Sequence, residues 1–216
     1  MNLIRAALAN YLFTIPISIA LETILCQYYK TKKVKITYGF VVGFQLFLLL
    51  LTAMLTTTGA GGVDDIGCHG DVILSLDAFN LTPFTGWGRV NFFGLSMNAI
   101  LFIPLGAALP LLWKNGVSFL RTSLTGFLFS LLIETSQLLN WRTTDIDDLI
   151  MNTIGTMIGF GLSRLLLKKI TVVQIDNSNT DFFVMNSASL CTVLFFSAYF
   201  FIGSPMLNAV WEILYQ

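Results

Sequence analysis

The sequence predicts an all-α integral membrane protein of about six transmembrane helices with a four-helix core, and three observations predict it. Of its 216 residues, 55% are hydrophobic and only 11% charged, whereas an ordinary soluble domain carries roughly a quarter charged residues. The apolar residues gather in six stretches, each long enough to cross a hydrocarbon core of about 30 Å as a helix rising about 1.5 Å per residue. The charges sum to zero, so the total says nothing about a nucleic-acid or acidic partner, but they are segregated along the chain in a way that sets its orientation; no nucleic-acid partner is expected of a membrane chain.

The expected spans run from Ala6 to Cys26, Tyr38 to Thr57, Ser96 to Trp113, Ser118 to Leu139, Leu149 to Leu167 and Val184 to Gly203. Lys and Arg collect in cytoplasmic loops. Lys30, Lys32, Lys33 and Lys35 follow the first span, Lys114 and Arg121 bracket the turn between the third and fourth, and Arg164, Lys168 and Lys169 end the fifth. The opposite side keeps Arg5, Arg89 and Arg142 and holds Asp64, Asp65, Asp71, Asp77, Asp145, Asp147 and Asp148. A multi-pass cell-membrane protein with both termini and the Arg142 hairpin outside the cytoplasm follows. The first segment also has features of a secretory signal, with Ser18-Ile19-Ala20 as a small-residue cleavage site. Cleavage there leaves four lysines near a translocated N-terminus, against the charge rule that the other loops obey.

The segment from Thr58 to Leu95 carries Gly59, Gly61, Gly62, four Asp and Pro83, a composition that punctuates backbone. It is expected as an external loop, with Ile73 to Phe84 and Phe92-Phe93 lying on the membrane surface. Cys68 and His69 read as ordinary loop residues, because a metal usually takes three or four protein ligands. Cys26 and Cys191 read as small apolar residues in lipid.

A charged side chain near the bilayer centre costs about 2.5–3.5 kcal/mol on insertion scales, so each intramembrane acid needs a reason. Glu22, near the inner end of the first span, is expected to meet headgroups or a lysine. Glu134 lies inside the fourth span with nothing basic near it on its own helix and must be met from other helices. Gly126, Ser130, Glu134 and Gln137 share one stripe of that helix. The fifth span offers Asp145, Asp148, Asn152, Gly155 and Gly159 on one face, with Asp147 pointing away. Gly155 and Gly159 form a G-x-x-x-G through which another backbone can approach. The third span brings Asn98 to the same depth. Arg142 adds a guanidinium, and Thr144 or Asp145 is the expected cap of the fifth span. A site formed by Asn98, Glu134, Gln137, Arg142, Asp145, Asp148 and Asn152 is the functional expectation, beside the alternative of a purely structural polar network.

These motifs in order resemble the VanZ-like family of membrane proteins. Asn80-Leu-Thr-Pro83-Phe84 is similar to the family's Asn-Leu-x-Pro-Phe, and Asn98 through Gly106 to its Asn-x-x-x-Phe-x-Pro-x-Gly helix. Glu134-Thr-Ser-Gln137, Arg142-Thr-Thr-Asp145-Ile-Asp147-Asp148 and Asn152-Thr-Ile-Gly155 match its remaining polar motifs. The resemblance divides the chain into an added helix and basic loop (1–36), a VanZ-like four-helix domain (37–169, external loop 58–95), and an inner loop with a further helix and tail (170–216). It implies a membrane location and a link to glycopeptide resistance, since the family's namesake lowers susceptibility to teicoplanin.

The leading expectation is an outer-face pocket that binds or modifies a lipid-linked or lipophilic ligand: membrane lipids, a lipid-linked envelope precursor or a lipoglycopeptide. Arg142 can hold a phosphate or carboxylate, and Glu134, Asp145 and Asp148 have the oxygen chemistry for Mg²⁺ or Ca²⁺. Were there a reaction, Glu134 would be its general base. No histidine, cysteine or other evident nucleophile accompanies the cluster, which leans the reading toward a non-enzyme. A proton-coupled transporter or flippase and a non-catalytic membrane organiser are the alternatives.

Overall fold

The computed structural model describes residues 3–66, 79–80, 82–83, 92–113, 117–139, 144–166, 173–174 and 181–215. Helices dominate: α1 (Leu3–Thr31), α2 (Tyr38–Thr58), α3 (Phe92–Leu112), α4 (Phe119–Leu139), α5 (Ile146–Leu166), the single turn α6 (Phe182–Met185), α7 (Ser187–Ala198) and α8 (Ser204–Tyr215). The extended elements among these residues are four two-residue segments. β1 (Lys35–Ile36) pairs antiparallel with β4 (Val173–Gln174), and β2 (Phe79–Asn80) pairs in parallel with β3 (Thr144–Asp145).

By length and composition, five helices suffice to cross a membrane, in segments 7–31, 38–65, 93–112, 146–166 and 187–213. The expected fourth span, α4, has 21 residues but falls short in hydropathy. The polar stripe is the reason: Thr122, Ser123, Thr125, Ser130, Glu134, Ser136 and Gln137 are buried, while Leu120, Leu124, Phe127 and Leu131 face outward. Its apolar face is turned out and its polar face in, as suits a helix whose surroundings are lipid and whose partners are other helices.

The closest packing joins α3 to α5. A methyl group added at Gly155 would overlap the carbonyl of Ala99, one at Gly159 that of Ile103, and one at Gly106 that of Thr156. The G-x-x-x-G of α5 therefore receives the backbone of α3, whereas α4 meets α5 at Gly126, against the side chain of Thr156. The same helix holds Pro104 and Pro110 within its length, each of which removes one backbone donor.

The sixth span continues beyond Gly203. A five-residue π-helical stretch, Tyr199–Gly203, leads into α8. Pro205 supplies the physical reason: it has no N–H to give, and its ring crowds the carbonyl four residues back, so the widened turn lets the helix run on.

At the end of the bundle opposite Asn98, the Trp113 indole donates to the Tyr29 hydroxyl at 2.8 Å, among Phe40, Phe44 and Phe47. Arg164 donates to Val117 O at 3.1 Å and Arg121 to Met185 O at 3.3 Å. Lys32 pairs with Asp181 at 2.7 Å, and the Tyr28 hydroxyl donates to the same carboxylate at 2.7 Å. Asp181 also caps α6, accepting from the N–H groups of Phe183 and Val184. The Lys32 ammonium and the Tyr28 hydroxyl hold the Asp181 carboxyl below the usual carboxylate range, and Asp181 pushes the Lys32 ammonium up in turn.

Two expectations for single residues change. Among the described residues Glu22 meets no lysine: it sits about two and a half turns before the end of α1, 9% exposed, and accepts from Gln45 of α2 at 2.6 Å. Tyr11 and Ser18 donate to the same glutamine, so the acid is met by an amide in the bundle interior rather than at a headgroup. Cys191 is buried in the protein core rather than in lipid, and Cys26 packs half-buried against that core.

Candidate functional site

At the Asn98 end of the bundle, four helices and one short strand enclose a cavity of about 340 Å³. The last turn of α2 gives Thr57 and Thr58, α3 gives Asn98, α4 gives Ile133, Glu134 and Gln137, β3 gives Asp145, and α5 gives Asp148 and Asn152. Six of the seven residues expected from sequence thus border one space. The seventh, Arg142, lies outside the described residues, as do Cys68, His69 and most of the loop expected on the membrane surface.

Local rules place these side chains. Gly59 takes the left-handed conformation (φ 70°) and its N–H returns to Leu55 O, which ends α2 with its last carbonyls near the cavity. Gln137 donates to one of them, Thr58 O, at 2.7 Å. Asp145 precedes α5, and its carboxylate accepts from the N–H of Asp147 at 2.9 Å, so the expected capping role is present. The second oxygen of Asp145 accepts from Asn80 at 3.1 Å, and the parallel pairing Asn80↔Asp145 registers the loop strand on the site. Asn98 donates to Asp148 across the α3–α5 contact. Asn152, 3% exposed, donates to Ser130 of α4 at 2.9 Å. Asp147 is buried but does not line the cavity.

Glu134 is 3% exposed, on the wall of this cavity. The three carboxylates expected for a cation share the space without forming a cage. Among the described residues no group of three or more His, Cys, Asp or Glu is arranged to hold a metal. The reason is local: Asp145 is engaged by Asn80 and the α5 N-terminus, and Asp148 by Asn98.

Sequence reasoning missed Thr57, Thr58 and Asn80. The run of three threonines before Gly59 was the available signal for the first two. Asn80 stood inside a recognised motif, but only the β2–β3 pairing shows what it touches.

The fold and site define a multi-pass α-helical membrane protein whose membrane-facing helices wrap a buried polar cavity at one end. A family model described as VanZ/LLP1 matches residues 44–168, and the chain belongs to that family. It is 36% identical over 100 residues to Protein VanZ of Enterococcus faecium, a match covering 46% of this chain. The chain spans 60% of the length of that relative. No solved structure shows a significant match. The matched region contains α3, α4, α5 and most of α2, while α1, α6, α7 and α8 lie outside it.

Proposed function

We propose that the chain is an envelope-membrane protein whose cavity receives the polar head of a lipid-linked or lipophilic ligand, and that reduced susceptibility to a teicoplanin-type glycopeptide is one consequence. The observation that carries this reading is the gathering of Asn98, Glu134, Gln137, Asp145, Asp148 and Asn152, from separate elements, around one space of about 340 Å³. Polar groups this expensive to place among membrane helices face cavities and pathways by default. Six basic residues in described segments, Lys30, Lys32, Lys33, Lys35, Arg121 and Arg164, belong to the other end of the bundle. That segregation supports a cavity opening on the non-cytoplasmic side. The reading is one of binding, with Glu134 as part of the cavity wall.

The test compares Asp148→Asn and Asp148→Glu, both checked for folding, by photo-crosslinking to a lipid-linked precursor in membranes and by teicoplanin susceptibility of cells. The expected result is loss of crosslinking, and of any protection the wild type gives, in both variants, because position and charge both matter. Full retention in Asp148→Asn would reduce the network to scaffolding and overturn the proposal.

A further inference from the structure

At the lysine end of the bundle, the seam between α1 and α7 holds an apolar groove of about 180 Å³. On α1 its wall is Leu21, Ile24, Leu25 and Tyr28, which stand at i, i+3, i+4 and i+7 and so share one face. Ser187, Leu190, Cys191 and Leu194 repeat the spacing on α7. The floor is shallow in bulk because Ser187 and Cys191 are small, and both are 3% exposed. The Ser187 hydroxyl is bonded to Tyr29 at 2.6 Å and to Val184 O at 2.8 Å, which leaves the floor apolar in character. The rims open sideways, with Ile24 64% and Leu194 54% exposed. Both belong to segments long and apolar enough to cross a membrane.

From Leu21 to Tyr28 the helix rises about 10 Å, about a third of a hydrocarbon core of about 30 Å. The groove thus runs from one edge of that core toward its middle, the course of an acyl chain below its headgroup. Its mouth is cationic. Tyr28 and Phe183 meet there edge to face with ring centroids 6.3 Å apart. The Lys32 ammonium lies 5.6 Å from the Tyr28 ring centroid, one turn further along the same stripe of α1. Lys32 pairs with Asp181, yet its side chain remains 40% exposed. Lys30, Lys33 and Lys35 are exposed beside it. Among the described residues of this end, four lysines therefore stand against the one carboxylate of Asp181. Lysine clusters at the end of a membrane helix draw anionic headgroups.

We propose that one anionic phospholipid binds at this seam, with an acyl chain in the α1–α7 groove and its phosphate at Lys32, and with Lys30, Lys33 and Lys35 supplying the surrounding positive charge. A zwitterionic lipid fills the groove equally well but brings a cation that the same lysines repel. The site lies at the end of the bundle opposite the polar cavity, on helices outside the family-matched region. It stands whether or not the cavity binds a ligand.

The experiment uses the full chain. Native mass spectrometry compares retention of phosphatidylglycerol and phosphatidylcholine with identical acyl chains, and a photoreactive group in the acyl chain of the first maps where it sits. The expected preference for phosphatidylglycerol is about fivefold or more, the scale of one lysine beside an anionic surface. Adducts are expected on residues 21–28 and 187–194, and excess unlabelled phosphatidylglycerol should suppress them far better than phosphatidylcholine. Replacing Lys30, Lys33 and Lys35 by Gln, which leaves the Lys32–Asp181 pair intact, should bring the preference toward one. Leu190→Trp, which fills the groove, should remove the adducts in folded protein.

Equal retention of the two lipids, adducts spread evenly over all helices, or a preference unchanged in the triple lysine variant would overturn the proposal. So would a dimer that shields residues 21–28 and 187–194 from the lipid, since the groove would then belong to a second copy of the chain. Asp148→Asn is expected to leave the adducts unchanged, so this proposal and the cavity reading can fail separately.

Discussion

Glu22 shows how an intramembrane acid is accommodated away from any described cation. Its carboxylate takes the Gln45 amide at 2.6 Å, and Gln45 is fixed in turn by the hydroxyls of Tyr11 and Ser18. Replacing Gln45 by leucine strands a buried carboxylate, at about 1.5–3 kcal/mol for a hydrogen bond to a charged group. Adding Glu22→Leu removes the stranded charge and recovers most of that loss. Denaturant unfolding of the single and double variants in one detergent checks both values, and equal stability of the two variants would contradict the coupling. From sequence, Glu22 was legible as an anomaly but not its partner, because Gln45 stands among leucines and phenylalanines with no pattern tying it to α1. For Glu134, Asp148 and Asn152, spacing on helical stripes gave each its face, and Asn98 stood at the same depth, but the spacing did not say which side chains would meet.

At the scale of the elements, the α3–α5 contact sets the geometry of the cavity. Gly155→Ala pushes a methyl into the Ala99 carbonyl, which belongs to backbone and cannot swing aside. Overpacking of this kind costs about 1–3 kcal/mol, and separating the two helices also stretches the Asn98–Asp148 bond. Gly161→Ala, on the same helix with nothing within 4 Å of its added carbon, is neutral or stabilising by up to about 1 kcal/mol through its better helix propensity. Thermal unfolding of the two variants decides the matter, and similar losses in both would contradict the packing described here.

At the other end, Asp181 ties α1 to the start of α6. Its folded pKa lies below the unfolded value, so its contribution is fully present above about pH 3.9 and is lost as the pH falls through the depressed value. Hydrogen exchange at Phe183 and Val184, corrected for intrinsic pH dependence, is expected to gain protection with rising pH up to that range and then level off. In Asp181→Asn the acid-range step should vanish. The polar stripe of α4 and the G-x-x-x-G of α5 were readable from sequence, but which helix the glycines receive was not, because period alone does not name a partner. The run of helix past Gly203 was hidden for a related reason: Gly-Ser-Pro reads as a stop, and only the π-helical turn shows how the chain passes it.

For the whole molecule, composition and span length were enough to establish an all-α membrane architecture, because a chain this apolar has few other ways to satisfy its backbone. The same hydropathy logic undercounts α4, whose buried face is polar for the sake of the cavity. Helices α1, α7 and α8 lie outside the region matched by the family, yet Asn10 bonds Thr56 at 2.7 Å, Ser189 bonds Thr125 at 2.6 Å and Asn208 bonds Asp64 at 2.7 Å, so they close around the core. Their contacts were not legible because they depend on long-range pairing of isolated polar residues along otherwise apolar helices. If residues remote in the chain form one ligand-binding cavity, a cryo-electron-microscopy structure in nanodiscs of native lipid will show it. Non-protein density is expected between Glu134 and Asn152, with Asn98 and Asp148 in contact beside it. Asn98, Glu134 and Asn152 facing separate environments, or a well-resolved cavity filled only by protein side chains, would contradict it.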